Sequence, residues 1–276
     1  MDRVRRDLIT AGAALLGSQV AGVGGAAEAP FRNGRTVTKK QEDMAMAGQR
    51  ANGHYTCVRT LESNEGPYYY ESSQRRGNIT EGKKGVPVKL RILVANALVP
   101  GNTCSALPGA VVDLWQADAD GQYSNVGTDL QHVDTVGQTY LRGHQLTDAA
   151  GYVEFETIVP GWELVSVPAP QNVVIRATHI HARIFHEHQV TTTQLYFPDD
   201  YLDELYANVD PYRTHRKMTA PGAVGEFDRL RNTQDSAFVA DQSKPLQIKR
   251  VPGGIAAEAT IGLVTLGSRG FAPLFR

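Results

Sequence analysis

His179 and His181 stand two apart in the run Arg176-Ala177-Thr178-His179-Ile180-His181-Ala182. The run reads as a strand, and residues two apart on a strand point to the same face, about 7 Å apart. Two imidazoles so placed can reach one metal ion, and imidazole suits iron, copper, zinc and nickel. A second pair, His186 and His188, follows beside Glu187 and Gln189. Its polar, turn-like setting reads as a solvated loop. H-x-H alone is a weak motif, so the surroundings of each pair must decide between them.

The elements that would position such a site are strands. Val86 to Val94 alternates apolar and polar residues, and Pro108-Gly109 turns the chain into a second strand, Ala110 to Trp115. Asp118-Ala119-Asp120-Gly121 is a further turn ahead of Gln122-Tyr123-Ser124. Thr139 to Thr147 reads as a strand broken at Asp148-Ala149-Ala150-Gly151, and Tyr152 to Ile158 alternates until Pro160-Gly161. Val173 to Phe185 and Thr191 to Phe197 complete the set. Short strands with turn signals between them predict a mostly β chain, an antiparallel β-sandwich with few short helices and long loops. Asp199 to Asn208 is the best later helix, and Val37 to Arg50 could hold a short one.

The chain has 276 residues, with 28 Lys+Arg against 29 Asp+Glu. That near-neutral balance gives no basic field, which argues against nucleic-acid binding through phosphate neutralisation. Residues 1–27 combine Arg3, Arg5 and Arg6 with a short, weakly apolar stretch, Leu8 to Val20, and a small-residue site, Gly25-Ala26-Ala27. This is the layout of an export signal rather than a membrane span, and Arg5-Arg6 gives it a twin-arginine character. A periplasmic or extracellular location is therefore expected, and nothing later in the chain predicts a membrane span. Export makes a Cys57–Cys104 disulfide conceivable, worth roughly 3–5 kcal/mol in the chain-entropy model, with two free thiols as the alternative. The expected organisation is an export signal at 1–27, an N-terminal arm at 28–84, a β-sandwich domain at 85–243 and a peripheral C-terminal segment at 244–276.

Several strings, read together, resemble the intradiol ring-cleavage dioxygenases. They are Glu65-Gly66-Pro67-Tyr68-Tyr69, the run from Leu107 to Ser124, Leu141-Arg142-Gly143, Thr147-Asp148-Ala149, Thr157 to Trp162, Arg176 to His181 and Gln194 to Asp200. They cover roughly residues 55–240, and the chain looks closest to the exported, single-chain branch. The resemblance implies a β-sandwich that holds one non-haem Fe(III) and opens a catechol with O2 between its hydroxylated carbons to a muconate. Tyr123 matches a tyrosinate ligand, and His179 and His181 match the histidine ligands. Arg176 matches the arginine facing the bound ring, and Gln194 a polar residue near it. These types agree with the chemistry: Fe(III) is hard and favours phenolate oxygen, and an arginine stabilises negative charge developing on the ring.

One position departs from the family pattern. After Pro-Gly-Trp the family has a second tyrosine ligand, and here Pro160-Gly161-Trp162 is followed by Glu163. No tyrosine occurs from Val153 to Leu195, so no small shift of alignment supplies one. Glu163 could ligate the metal as a hard oxygen donor and base, or face solvent in a degenerate member. Two other classes stay open: a non-catalytic, transthyretin-like β-sandwich binding module, and a zinc hydrolase built on His179, His181 and Glu163.

Overall fold

The computed structural model describes residues 59–71, 74–97, 105–131, 133–166, 173–218 and 226–264. The export signal, the 37–50 helix and the Cys57–Cys104 pair lie outside the described residues. Two sheets enclose the core of a mostly β sandwich. The first sheet is built on β1 (Pro87–Asn96), with β5 (Tyr152–Ile158) along one side and β13 (Gly254–Leu263) along the other. β12 (Gln247–Val251) pairs outside β13, and β2 (Ser105–Ala106) caps the end of β1. The second sheet has the order β4 (Arg142–Leu146), β3 (Val111–Trp115), β8 (His179–His186), β9 (Gln189–Tyr196).

Alternation explains both inner faces. Val88, Leu90, Ile92 and Val94 of β1, with Val153 and Phe155 of β5, turn inward against Val112, Leu114, Ile180, Ala182 and Ile184 of the second sheet. Each large aliphatic or aromatic side chain buried there contributes roughly 1.5–3 kcal/mol. Among the described residues the strand pairs are antiparallel except β1 with β13, which run parallel. Parallel neighbours cannot be joined by a hairpin, and here most of the domain lies between them. Within the C-terminal segment, β12 and β13 are thus part of the first sheet. Ile255, Ala257 and Ile261 of β13 join the core, because β1 leaves a full edge open to them.

The expected strand from Val173 to Phe185 is two strands. β7 (Val173–Arg176) pairs with β6 (Glu163–Ser166), and β8 begins only at His179. The break has a local cause: the Ala177 amide donates to the Asp235 carboxylate and the Ala177 carbonyl accepts from His179, so neither can join a ladder. Helix α1 (Asp199–Asn208) forms where expected. Asp199 and Asp200 lie in its first turn, where negative charge suits the helix dipole, and Tyr201, Leu202, Leu205 and Tyr206 are its buried face. The small pair β10 (Lys217–Met218) and β11 (Phe227–Asp228) precedes the five-residue helix α2 (Ser236–Ala240).

Candidate metal centre

The site is built on the outer face of the second sheet. Ile180 and Ala182 point into the core, so His179 and His181 point out. Strand register then sets their neighbours: His181 lies between Trp115 of β3 and Gln194 of β9, and His179 lies beside Tyr196. The Trp115 and His181 rings are stacked, 4.6 Å apart and 8° from parallel. His179 Nδ1 donates to the Ala177 carbonyl at 2.6 Å, which leaves the Nε2 lone pair for the site.

Tyr123 and Glu163 arrive from two loops that are locked together. The Gly161 amide donates to the Asp118 carbonyl at 2.8 Å, and the Asp118 carboxylate holds the amides of Asp120 and Gln122. The two loops touch so closely that a Cβ on Gly161 would lie 2.6 Å from the Ala119 carbonyl oxygen. On Gly121, where φ is +79°, a Cβ would lie 2.5 Å from the Trp162 oxygen. Only glycine fits at either position. Glu163 follows Gly161 by two residues, and Tyr123 follows Gly121 by two. Trp162 anchors the loop, its amide donating to the Tyr206 hydroxyl of α1 at 2.8 Å and its indole to the His215 carbonyl at 3.0 Å.

The outcome for residue 163 is decided by burial. Glu163 is 4% exposed and faces the histidines, not solvent. Its Oε1 lies 3.6 Å from His179 Nε2, and His179 Nε2 lies 2.9 Å from His181 Nε2. Donor atoms of Glu163, His179 and His181 all fall within 4.8 Å of one another. The Glu163 Oε2 is buried with no hydrogen-bond partner. Two imidazole nitrogens facing each other and an orphaned carboxylate oxygen are what a cation would satisfy, so these residues fit a metal.

Electrostatics follow the burial. Desolvation pushes the Glu163 carboxyl up to about 7, with Arg176 pulling the other way. Burial raises the Tyr123 phenol well above its ordinary value, and the Glu163 charge adds to the shift. His179 is held down to about 3 by burial and then by the Arg176 charge, so the metal-free pair is neutral. Burial alone would weaken the Arg176 charge, but Asp235 more than offsets it.

Arg176 and Gln194 form one network. Arg176 Nε donates to Asp235 at 2.9 Å and Nη2 donates to Gln194 Oε1 at 2.6 Å. Gln194 Oε1 also accepts from the Tyr196 hydroxyl, and Gln194 Nε2 donates to the Asn64 carbonyl at 2.9 Å. All six residues singled out in the sequence therefore gather in one place. The second histidine pair does not: His186 ends β8 and His188 is exposed in the turn to β9.

Three contributors were given no role by the sequence reading. Asp235 holds Arg176, accepts from the Ala177 amide and caps α2 through the amides of Ala237 and Phe238. Its signal was Asp followed by Ser-Ala-Phe, an N-cap pattern. Tyr68 stacks on Tyr123 at 4.3 Å, and Tyr69 leans on Trp115 at 4.7 Å. They come from the arm, whose Ser63 amide binds the Thr192 carbonyl and whose Glu65 pairs with Arg183 at 2.5 Å. The arm thus covers the site, and Tyr68, Trp115, Ala117, Tyr123 and Val126 form a second, smaller apolar cluster around it. No helix among the described residues is long and apolar enough to cross a membrane.

Comparison with known proteins bears on the family and the fold. The family model described as "Dioxygenase" matches residues 64–229. A chlorocatechol 1,2-dioxygenase from Pseudomonas putida is 26% identical over 144 residues, which is 48% of this chain and 52% of the relative. The chain thus spans about half the length of that curated relative. An intradiol ring-cleavage dioxygenase from Tetranychus urticae superposes with a TM-score of 0.60 at 24% identity, over 76% of this chain and 97% of that one. The dioxygenase domain of a carbohydrate-binding fusion from Streptomyces sp. SirexAA-E gives 0.50 at 26% identity, over 75% and 98%. The chain belongs to the intradiol ring-cleavage dioxygenase family.

Proposed function

We propose that this chain opens a catechol-type aromatic ring with O2 between its two hydroxylated carbons, giving a muconate-type product. One non-haem iron per chain, as Fe(III) during ring opening, would be held by Tyr123, Glu163, His179 and His181. The single observation that carries the proposal is the buried meeting of Glu163, His179 and His181 beside Tyr123 in a chain of this family. The name of the Pseudomonas putida relative, chlorocatechol 1,2-dioxygenase, supports a catechol-type substrate. When bound, the iron would hold the catechol oxygens and mediate the passage of electrons from the catechol ring to O2.

The chain's own residues do the rest. Ala177 and Trp115 fix the two imidazoles, one by a hydrogen bond and one by stacking. Glu163 Oε2, with no protein partner, is the acceptor for a catechol proton. Arg176 is locked by Asp235 and Gln194, and its charge stabilises anionic ring character without having to reorganise. Tyr68 and Trp115 exclude water from around the bound ring.

The test is oxygen uptake by iron-loaded protein given catechol. Equimolar loss of O2 and catechol with appearance of a muconate is the expected result. Stoichiometric iron with neither loss would overturn the proposal. From residues 1–27 we also propose export, for which a mature N-terminus near residue 28 in an exported fraction is the expected finding.

A further inference from the structure

We infer that the ion this chain holds at rest, before substrate arrives, is divalent, and that Glu163, His179 and His181 hold it as a two-histidine, one-carboxylate triad. The inference deepens the ring-cleavage proposal and rests on it for the place of the metal, but not for the reaction. Ferric centres are favoured by several hard, strongly electron-donating phenolates. Among the described residues this site has one phenol within reach where its family has two. Tyr196 is turned to Gln194, its hydroxyl donating to Gln194 Oε1. Tyr68 lies on Tyr123, but its hydroxyl donates to the Leu130 carbonyl at 3.1 Å. Neither replaces the missing ligand.

Tyr123, the remaining phenol, has its ring centre 6.1 Å from that of His181 and is the one possible phenol donor among the described residues of the centre. What is left facing inward is two imidazoles, their Nε2 atoms 2.9 Å apart, and one carboxylate with a free buried oxygen. Two histidines and one carboxylate with open positions is the donor set of non-haem ferrous oxygenases. A divalent ion on this set leaves a small net charge, which suits a site buried under the arm. A bound catecholate brings two further hard oxygens that favour the ferric state, and O2, the co-substrate, would take the one electron that the divalent iron gives up.

Metal-free protein titrated anaerobically with Mn(II) or Fe(II), and separately with ferric citrate, tests this by calorimetry. Trp115 fluorescence is a second reporter, because that ring stacks on His181. One Mn(II) or Fe(II) should bind per chain, and the ferrous protein should remain colourless. Glu163→Gln, nearly the same shape, should lower divalent affinity by roughly 100-fold, the scale on which even outer partners of metal ligands act. Glu163→Tyr should instead weaken Mn(II) binding and give the ferric protein an intense phenolate charge-transfer band. Thermal melts of both variants separate ligand loss from misfolding. Unchanged Mn(II) affinity in a folded Glu163→Gln variant would overturn the inference. So would a wild-type resting protein that takes ferric ion in preference and shows the strong band. Catechol turnover by such a ferric protein would leave the ring-cleavage proposal standing while this inference fell. Tight divalent binding without turnover would do the reverse.

Discussion

Strand β8 begins with one histidine pair and ends beside another, and only the first is a site. Both pairs have the same spacing, yet His179 and His181 are 3% and 2% exposed while His188 is open to solvent. Between His186 and His188 the chain turns at Glu187, where φ is +55°, so the alternation that puts residues two apart on one face is lost. The first pair lies within a continuous strand start, covered by the arm and met by a carboxylate from the start of β6. Spacing supplies two imidazoles; convergence of separate elements supplies a centre.

The comparison is broken most directly at His179. His179→Ala should abolish stoichiometric metal binding and lower ring-cleavage rate by at least about 10³-fold. A bound metal supplies several kcal/mol of charge stabilisation and each 1.4 kcal/mol is about tenfold. Metal analysis and oxygen uptake read the effect. Retention of one metal per chain would show that the first pair is no more a site than the second.

Asp235 tests how the first pair is supported from behind. Its side chain is fully buried against Arg176, so Asp235→Asn leaves a buried cation unpaired and should cost about 3 kcal/mol at pH 7. Burial raises the Asp235 carboxyl, but Arg176 outweighs it and the folded value lies below the ordinary one. A depressed carboxyl contributes stability above its unfolded pKa of about 3.9 and loses it as pH falls through the folded value. The difference between wild type and Asp235→Asn in urea melts should therefore be full at pH 5 and shrink below about pH 4. A difference that grows on acidification would contradict the pairing. The second histidine pair has no such carboxylate recorded behind it among the described residues.

How far this was legible in the sequence follows from the same contrast. The alternation in Val86–Val94 and Tyr152–Ile158 marked β1 and β5, because one buried face imposes a period of two. The order and spacing of the family strings marked Tyr123, His179, His181, Arg176 and Gln194. Whether Glu163 faced inward was not legible, since that depends on the Gly161–Ala119 contact between loops far apart in sequence. The place of β13 was hidden for a related reason. Its partner β1 lies at the other end of the domain, and Gly254 to Leu263 carries small residues whose burial shows only once they are paired. Asp235 carried a local signal, its N-cap pattern, but its task at Ala177 and Arg176 is long-range.

Trp115 sharpens the comparison by a smaller step. Its ring stacks on His181, and no comparable ring contact is recorded for His186 or His188 among the described residues. Trp115→Leu removes the stacked pair, worth about 0.5–1.5 kcal/mol beyond area burial, and frees the His181 ring to turn. Metal affinity should fall by roughly tenfold, the lower end of the effect of outer partners on ligands. Trp115→Phe, which keeps a stacking surface, should recover most of the affinity. Equal losses in the two variants, read by calorimetry with Mn(II), would mean that the cavity left by the indole matters and the stack does not.

The smallest effect is expected where the second pair is removed. Changing His186 and His188 together to Ala touches a half-buried strand end and an exposed turn residue, away from every donor of the centre. Surface changes of this kind stay within about 0.5 kcal/mol. Metal content, melting temperature and turnover should all match wild type. A loss of bound metal in the double variant, with the fold intact, would mean that ions reach or rest at the far end of β8. The two pairs would then be one system rather than a centre and a bystander.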